Sequence, residues 1–64
     1  MSHISMIRAM YVCPGMVFAT DGFKVESNIY DEEENKFEIH ARKGNYVKVA
    51  KVEPTKDLPI WVED

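Results

Sequence analysis

The side chains that could do chemistry in this 64-residue sequence gather in two charged blocks. Four consecutive carboxylates run from Asp31 to Glu34, and a basic segment, Lys36 to Val52, follows directly. Residues 31–35 carry a net charge of −4 and residues 36–52 a net charge of +4, whereas residues 1–30 are neutral and residues 53–64 carry −3. Charge blocks of this kind favour electrostatically steered binding of another macromolecule.

The acidic run predicts an exposed loop, because four adjacent like charges repel one another in a packed strand. As a simple solubilising loop it needs no partner, but Glu32 and Glu33 are also candidate contacts for a basic protein surface. A calcium site is not expected. A calcium loop alternates its carboxylates and includes a glycine for the bend, and these four carboxylates are contiguous.

The basic segment predicts a β-hairpin, with Phe37 to Arg42 and Tyr46 to Val52 as strands and Lys43-Gly44-Asn45 as the turn. A two-residue turn would place Ala41 opposite Lys48, and a three-residue turn would place it opposite Val47. We predict the three-residue turn, because it keeps the apolar face of the hairpin intact.

In that register one face of the hairpin is basic and carries a single aromatic ring. Lysine and arginine side chains bind phosphates, and a tyrosine ring can stack on a base. An ordinary solvated face is the alternative interpretation, and the net charge of −3 and the flanking acidic stretches disfavour nucleic acid. The face is formed by Glu38, His40, Arg42, Tyr46, Lys48 and Ala50, and Lys43 in the adjoining turn is counted among its basic contacts.

The stretch from Phe37 to Val49 resembles the central hairpin of the carbon storage regulator family, whose members bind messenger RNA. The resemblance rests on Lys43-Gly44-Asn45 followed by alternating valines, and it implies RNA binding by this hairpin. It covers only this stretch, because the rest of the chain does not follow the family's pattern.

No catalytic signature is present in the sequence. His3 and His40 have no second histidine or cysteine at a usual ligand interval, so neither a metal nor another cofactor is expected. Cys13 is the only cysteine, which excludes an intrachain disulfide and favours a reducing, cytoplasmic setting. We predict a buried structural thiol at Cys13, with a reactive thiol as the alternative. An enzyme is not expected from so short a chain.

Short apolar runs separated by turn signals predict the elements that carry these residues. Ile7 to Cys13 is predicted as a strand, with a short helix over Ile4 to Met10 as the alternative. Asp21-Gly22 predicts a two-residue type I′ turn between Met16 to Thr20 and Phe23 to Tyr30, which sets Val17 opposite Glu26.

The C-terminal region predicts a loop followed by a short strand. Glu53 to Pro59 is predicted as a loop, because its two prolines lack ladder donors. Ile60 to Val62 is predicted as a short edge strand available to a partner's sheet. Within it, Trp61 either closes the open side of the core or serves as an exposed anchor for a partner.

These elements predict a single all-β domain over residues 1–64, a small antiparallel barrel or strongly curved sheet of five or six strands and SH3- or OB-like size. Residues 1–6 fit no periodic pattern and are left as a disordered or non-native leading segment. A homodimer would add burial that so small a core needs. No stretch is long and apolar enough to span a membrane.

The sequence therefore predicts a small acidic module that binds another protein and regulates or inhibits it, as a phage-type modulator of a host enzyme would. The contact residues proposed for it are Ile60, Trp61, Glu32, Glu33 and the basic hairpin face. The alternative is an RNA- or single-strand-binding module that uses the hairpin over residues 36–52.

Overall fold

The computed structural model describes residues 1–63, which form one antiparallel sheet of six strands. The strands are β1 (Ser2–Arg8), β2 (Val17–Phe18), β3 (Lys24–Asp31), β4 (Lys36–Lys43), β5 (Tyr46–Val52) and β6 (Asp57–Glu63), and a 3-10 turn (Ala9–Tyr11) follows β1. They lie in the order β1-β6-β2-β3-β4-β5. The all-β prediction is confirmed, but the sheet is open, with β1 and β5 as its edges, and does not form a barrel.

The core lies on one face of this sheet, which we call the inner face, and the opposite face is the outer face. The principal dimensions of the molecule are 39 × 26 × 16 Å. The inner side is closed partly by the segment after β1, whose Ala9 and Val12 are buried. The buried apolar residues are Ala9, Val12, Phe18, Val25, Ile39, Ala41 and Ile60.

The N-terminal segment differs from both predictions made for it. The strand ends at Arg8 instead of running to Cys13, and Ile4–Arg8 is paired with β6 rather than helical. The chain then turns across the inner face, where the N–H of Ala9 donates to the carbonyl of Lys56 at 2.9 Å. Residues 2–6, which fitted no sequence pattern, form the first part of β1.

A side-chain amide on β3 fixes this crossing. Asn28 Nδ2 donates to the carbonyl oxygens of Ala9 at 2.8 Å and of Val12 at 2.9 Å. Cys13 follows directly and is exposed, with its Sγ 3.4 Å from the carbonyl of Tyr11, so the prediction of a buried thiol is wrong. Val12 takes the buried position, and the next residue on an extended backbone then points away from the core.

The hairpin around Asp21-Gly22 exists, but its loop is longer than predicted. Val17 pairs with Lys24 instead of Glu26, so residues 19–22 form a four-residue connection. Gly22 has a positive φ of +78°, whereas Asp21 does not. The carboxylate of Asp21 accepts the N–H of Phe23 at 3.1 Å, and this local hydrogen bond stabilises a turn other than the predicted type I′.

The β4–β5 turn has two residues, so the predicted three-residue register is wrong. Lys43 pairs with Tyr46, and Ala41 faces Lys48 instead of Val47. Gly44 has a φ of +60°, as the first central residue of a type II′ turn requires. Because side chains alternate along a strand, a shift of one residue moves every β5 side chain to the other face.

Strand β6 also differs from its prediction. It begins at Asp57, includes Pro59, and lies between β1 and β2, so it is internal rather than an edge. The carbonyl of Pro59 accepts the N–H of Ala19 at 2.9 Å, which shows that the Pro59 backbone is directed toward the β2 side. Strand β2 has only two residues, which pair with Trp61 and Ile60, so it ends before it reaches Pro59. The N–H group that proline lacks would therefore have pointed past the paired part of β2.

Candidate binding surface

The basic hairpin side chains are divided between the two faces by the two-residue turn. Arg42 and His40 lie on the outer face, beside Val47 and Val49, which are 53% and 52% exposed. Tyr46 and Lys48 point to the inner side, and Tyr46, at the turn, remains exposed. The predicted continuous basic face with one tyrosine does not form.

Two basic side chains on the outer face of β4, Arg42 and His40, have an acidic neighbour. Arg42 Nε lies 3.2 Å from Glu26 Oε2, and His40 Nε2 lies 3.0 Å from Glu38 Oε1. An arginine paired in this way attracts phosphates less than a free one, because the neighbouring carboxylate repels the same anion. The outer side of this hairpin is therefore electrostatically mixed.

Lys48 joins the hairpin to the loop between β2 and β3. Its Nζ forms an ion pair with the carboxylate of Asp21, and it lies 5.1 Å from the ring centroid of Phe18 and 4.8 Å from that of Phe23. Lys43 Nζ donates to the carbonyl oxygen of Asp21 at 2.8 Å. Both lysines thus have structural partners.

The pKa of Asp21 reflects this arrangement. Burial by itself raises the pKa, but the hydrogen bonds from Lys48 and from the N–H of Phe23, with the charges of Lys48 and Lys43, outweigh burial and lower it below 3.8. Asp21 is therefore ionised at neutral pH and holds the two lysines.

The acidic run is a turn, as predicted, except that Asp31 is the last residue of β3. Asp31 Oδ1 accepts the N–H of Glu33 at 3.0 Å, and Lys51 Nζ lies 3.4 Å from Glu34 Oε2 and 3.6 Å from Asp31 Oδ2. The hydrogen bond and charge of Glu34, followed by the charge of Asp31, raise the pKa of Lys51. Glu32 and Glu33 are exposed at the tip of the turn.

The largest exposed apolar side chains on neighbouring strands lie at the other end of the sheet. Ile4 is 53% exposed, Met6 59% and Trp61 43%. Ile4 faces Trp61 across the β1–β6 pair, Trp61 faces Val17 across β6–β2, and Met6 faces Pro59. We call these five residues the outer patch, since all of them lie on the outer face.

The outer patch borders the free edge of β1. Strand β1 pairs with β6 over seven consecutive residues without a bulge, and Arg8 at its end is its only lysine or arginine. Strand β5, the other edge, carries Lys48 and Lys51. Lysines on an edge strand disfavour its pairing with other chains. The β1 edge is thus the less protected of the two.

A groove of about 350 Å³ lies on the inner side between β5 and β6. Its walls are continuous with the core and include Phe18, Ile39 and Leu58, with the charged side chains of Lys48, Lys56 and Asp57 also lining it. Among residues 1–63, no three histidine, cysteine or acidic side chains are grouped so that they could hold a metal ion. In the same range no helix is long and apolar enough to cross a bilayer.

The sequence-predicted contact residues are therefore not brought together. Ile60 is fully buried, so its side chain cannot reach a partner, while Trp61 is exposed on the outer patch instead of filling the core. Sequence reasoning missed Ile4 and Met6. The alternation of Ile4 and Met6 with Ser5 was the available signal, and it was too short to stand out near the start of the chain.

Comparison with known proteins found no match for this chain among family models, curated proteins or solved structures.

Proposed function

We propose that this protein is a small protein-binding module that docks on a larger partner through the outer patch and the β1 edge. The observation that carries the proposal is the side-by-side exposure of Ile4, Met6 and Trp61 at a free sheet edge. Contiguous apolar surface on a small protein is typical of an interaction site, and tryptophan is enriched among the residues that dominate binding energy.

The backbone of β1 supports the same mode of binding. An edge strand offers unpaired N–H and C=O groups to an extended segment of a partner, and neighbouring side chains then determine which segment fits. Ile4 and Met6 would supply apolar contacts beside that added strand, and Trp61 would anchor it from β6. A module of this size has little room for a substrate cleft, so a regulatory or inhibitory role suits it best.

Nucleic-acid binding has less support. Four cationic side chains of the basic segment already have partners within the chain. Lys48 pairs with the carboxylate of Asp21, and Lys43 donates to the carbonyl of Asp21. Arg42 pairs with Glu26, and Lys51 pairs with Glu34 in the acidic turn. A protein that binds phosphates by counterion release needs free cations, and the net charge here is −3. A reducing compartment such as the cytoplasm suits the exposed thiol of Cys13.

The test is affinity capture from a cell extract with the tagged chain, with and without nuclease, eluted in steps of increasing salt and read by mass spectrometry. Two variants make the capture specific. Trp61→Ala removes the anchor of the outer patch, and Tyr46→Ala removes an aromatic ring that is 74% exposed at the far edge of the sheet.

We expect a protein that survives nuclease and high salt, is retained by Tyr46→Ala, and is lost with Trp61→Ala. Loss of a hot-spot tryptophan costs about 2 kcal/mol or more, which weakens binding about 30-fold. Capture that requires nucleic acid, falls steeply with salt and is lost with Lys48→Glu would support the RNA-binding alternative instead. If the captured protein is an enzyme, its activity with and without the chain tests the inhibitory role.

A further inference from the structure

We propose that the β1 edge pairs with the β1 edge of a second copy of this chain, antiparallel and centred on Ser5, so that the two sheets join into one. The inference rests on the proposed function, because it assigns an occupant to the same surface. In the absence of the partner, a second copy covers the edge and withholds it, so dimerisation regulates access to the binding site by mass action.

The direction of the backbone groups determines which residues can form this pairing. The Pro59 backbone is directed toward β2 and away from β1. Met6 and Pro59 face each other across the β1–β6 pair, and they therefore exchange no backbone hydrogen bonds. The N–H and C=O groups of Met6 therefore point out of the sheet, away from β6. Backbone direction alternates along a strand, so the same holds for Ile4 and for Ser2 and Arg8 at the two ends of β1.

A two-fold axis at Ser5 matches these groups with one another. It places Ile4 opposite Met6 of the second copy and Met6 opposite Ile4 of the second copy, and each pair consists of residues whose backbone groups point outward. The side chains of both pairs lie on the outer face. Each outer patch thereby continues across the two-fold axis into the other, from Trp61 through Ile4 to Met6 and Pro59 of the second copy.

Charge complementarity selects this register. Within residues 1–63, Arg8 has no ion pair, and Ser2 lies beside Glu63 on the adjoining strand. Pairing about Ser5 sets Arg8 opposite Ser2 of the second copy, whose small side chain leaves room for the guanidinium to reach Glu63 of that copy. The two-fold symmetry produces this contact twice.

The neighbouring registers fit less well. An axis at Met6 would place Arg8 of each copy opposite Ile4 of the other, which sets a charge against the apolar patch. An axis at Ile4 would leave Arg8 beyond the end of the second strand. The axis at Ser5 alone combines apolar pairs at the centre with opposite charges at the ends.

The experiment is sedimentation equilibrium of the purified chain over a dilution series. We expect a concentration-dependent dimer, and Ile4→Lys should raise its dissociation constant at least about tenfold, since it sets a charge against Met6 of the second copy. Val49→Lys is the matched control, because Val49 is 52% exposed on the outer face of β5 and Ile4 is 53% exposed on that of β1. The control should leave the dimer unchanged.

A charge exchange tests the register itself. Arg8→Glu should weaken the dimer by bringing two carboxylates together, and combining it with Glu63→Arg should restore the dimer. Hydrogen exchange gives a second readout, since the amides of Ile4 and Met6 should be slowed in the dimer and fast in the Ile4→Lys variant.

A chain that stays monomeric throughout the dilution series would overturn the proposal. A dimer abolished by Val49→Lys rather than Ile4→Lys, or one that leaves the amides of Ile4 and Met6 unprotected, would overturn it as well. The two proposals fail separately. Trp61-dependent capture of a partner by a monomeric chain would leave only the dimer refuted, and a dimer without any captured partner would leave only the protein-binding function refuted.

Discussion

Replacing Asn28 with alanine should remove the tie between the sheet and the segment that crosses its inner face. Its Nδ2 donates to the carbonyls of Ala9 and Val12. A hydrogen bond contributes about 0.5–1.5 kcal/mol to stability, so the two together contribute about 1–3 kcal/mol. The carbonyl of Ala9 keeps a second donor, the N–H of Val12 at 3.2 Å, whereas the carbonyl of Val12 loses its side-chain donor.

A second effect of the substitution opposes this loss of stability. Asn28 Oδ1 is buried and has no hydrogen-bond partner among the residues that the structure describes, so deleting it recovers part of a desolvation cost. We therefore expect a net loss of about 2 kcal/mol in the free energy of unfolding. A domain of this length has about 3–10 kcal/mol in total, so the variant should lose a large fraction of its stability.

Urea unfolding followed by tryptophan fluorescence measures the effect, because the chain has a single tryptophan. With a slope of about 1 kcal/mol/M for a protein this small, the midpoint should fall by about 2 M. Ser27→Ala is the control, since Ser27 is the neighbouring β3 residue and faces His40 on the outer side. If Asn28→Ala moves the midpoint no further than Ser27→Ala does, the proposed tie does not stabilise the fold.

Four further outcomes follow from individual residues. Lys48→Met should destabilise the domain by about 1 kcal/mol, since it removes an ion pair and a cation beside two aromatic rings. Because the folded state lowers the pKa of Asp21, the stability due to this carboxylate is present above pH 3.8 and is lost as the pH falls through the lowered value. Between neutral and acidic pH, the urea midpoint of the wild type should therefore fall more than that of Lys48→Met. Gly44→Ala should lower the free energy of unfolding in urea by about 1 kcal/mol. The loss comes from the positive φ alone, because an added Cβ meets nothing within 4 Å. An unchanged midpoint would argue against the type II′ turn. Cys13 should react with Ellman's reagent as fast in buffer as in urea, and a thiol that reacts only after unfolding would contradict its exposure.

The sequence predicted the strands of the β4–β5 hairpin but not their register, because the prediction assumed that Val47 and Val49 must be buried. On an edge strand this assumption fails. Ile39 and Ala41 are buried on the inner side, where they face Ala50 and Lys48 of β5, and the two valines are left on the outer face without a covering layer. Which face of an edge strand is covered depends on the rest of the fold, and alternation along the strand does not contain this information.

The prolines misled the prediction of β6 for a similar reason. A proline excludes a central strand only where its missing donor would face a paired neighbour. At Pro59 that position lies past the end of the two-residue β2, which depends on how β2 and β6 meet in space. The candidate site had the same limit, since Trp61 could be identified as an anchor from its type, whereas Ile4 became its neighbour only through the β1–β6 pairing.

The pairing of the first strand with the last also has a consequence for how the chain folds. Ser2 faces Glu63, so the contacts that complete the sheet join residues almost the whole chain apart, while β3, β4 and β5 follow one another through short turns. Closing long loops is entropically unfavourable, and we therefore expect the meander of β3 to β5 to fold first and β1 to dock on β6 last. Ser2 and Glu63 also lie next to each other. A circular permutant that joins them and opens the chain within the turn over residues 32–35 would keep every strand pair in register, and would convert the slowest contact of the natural chain into a local one.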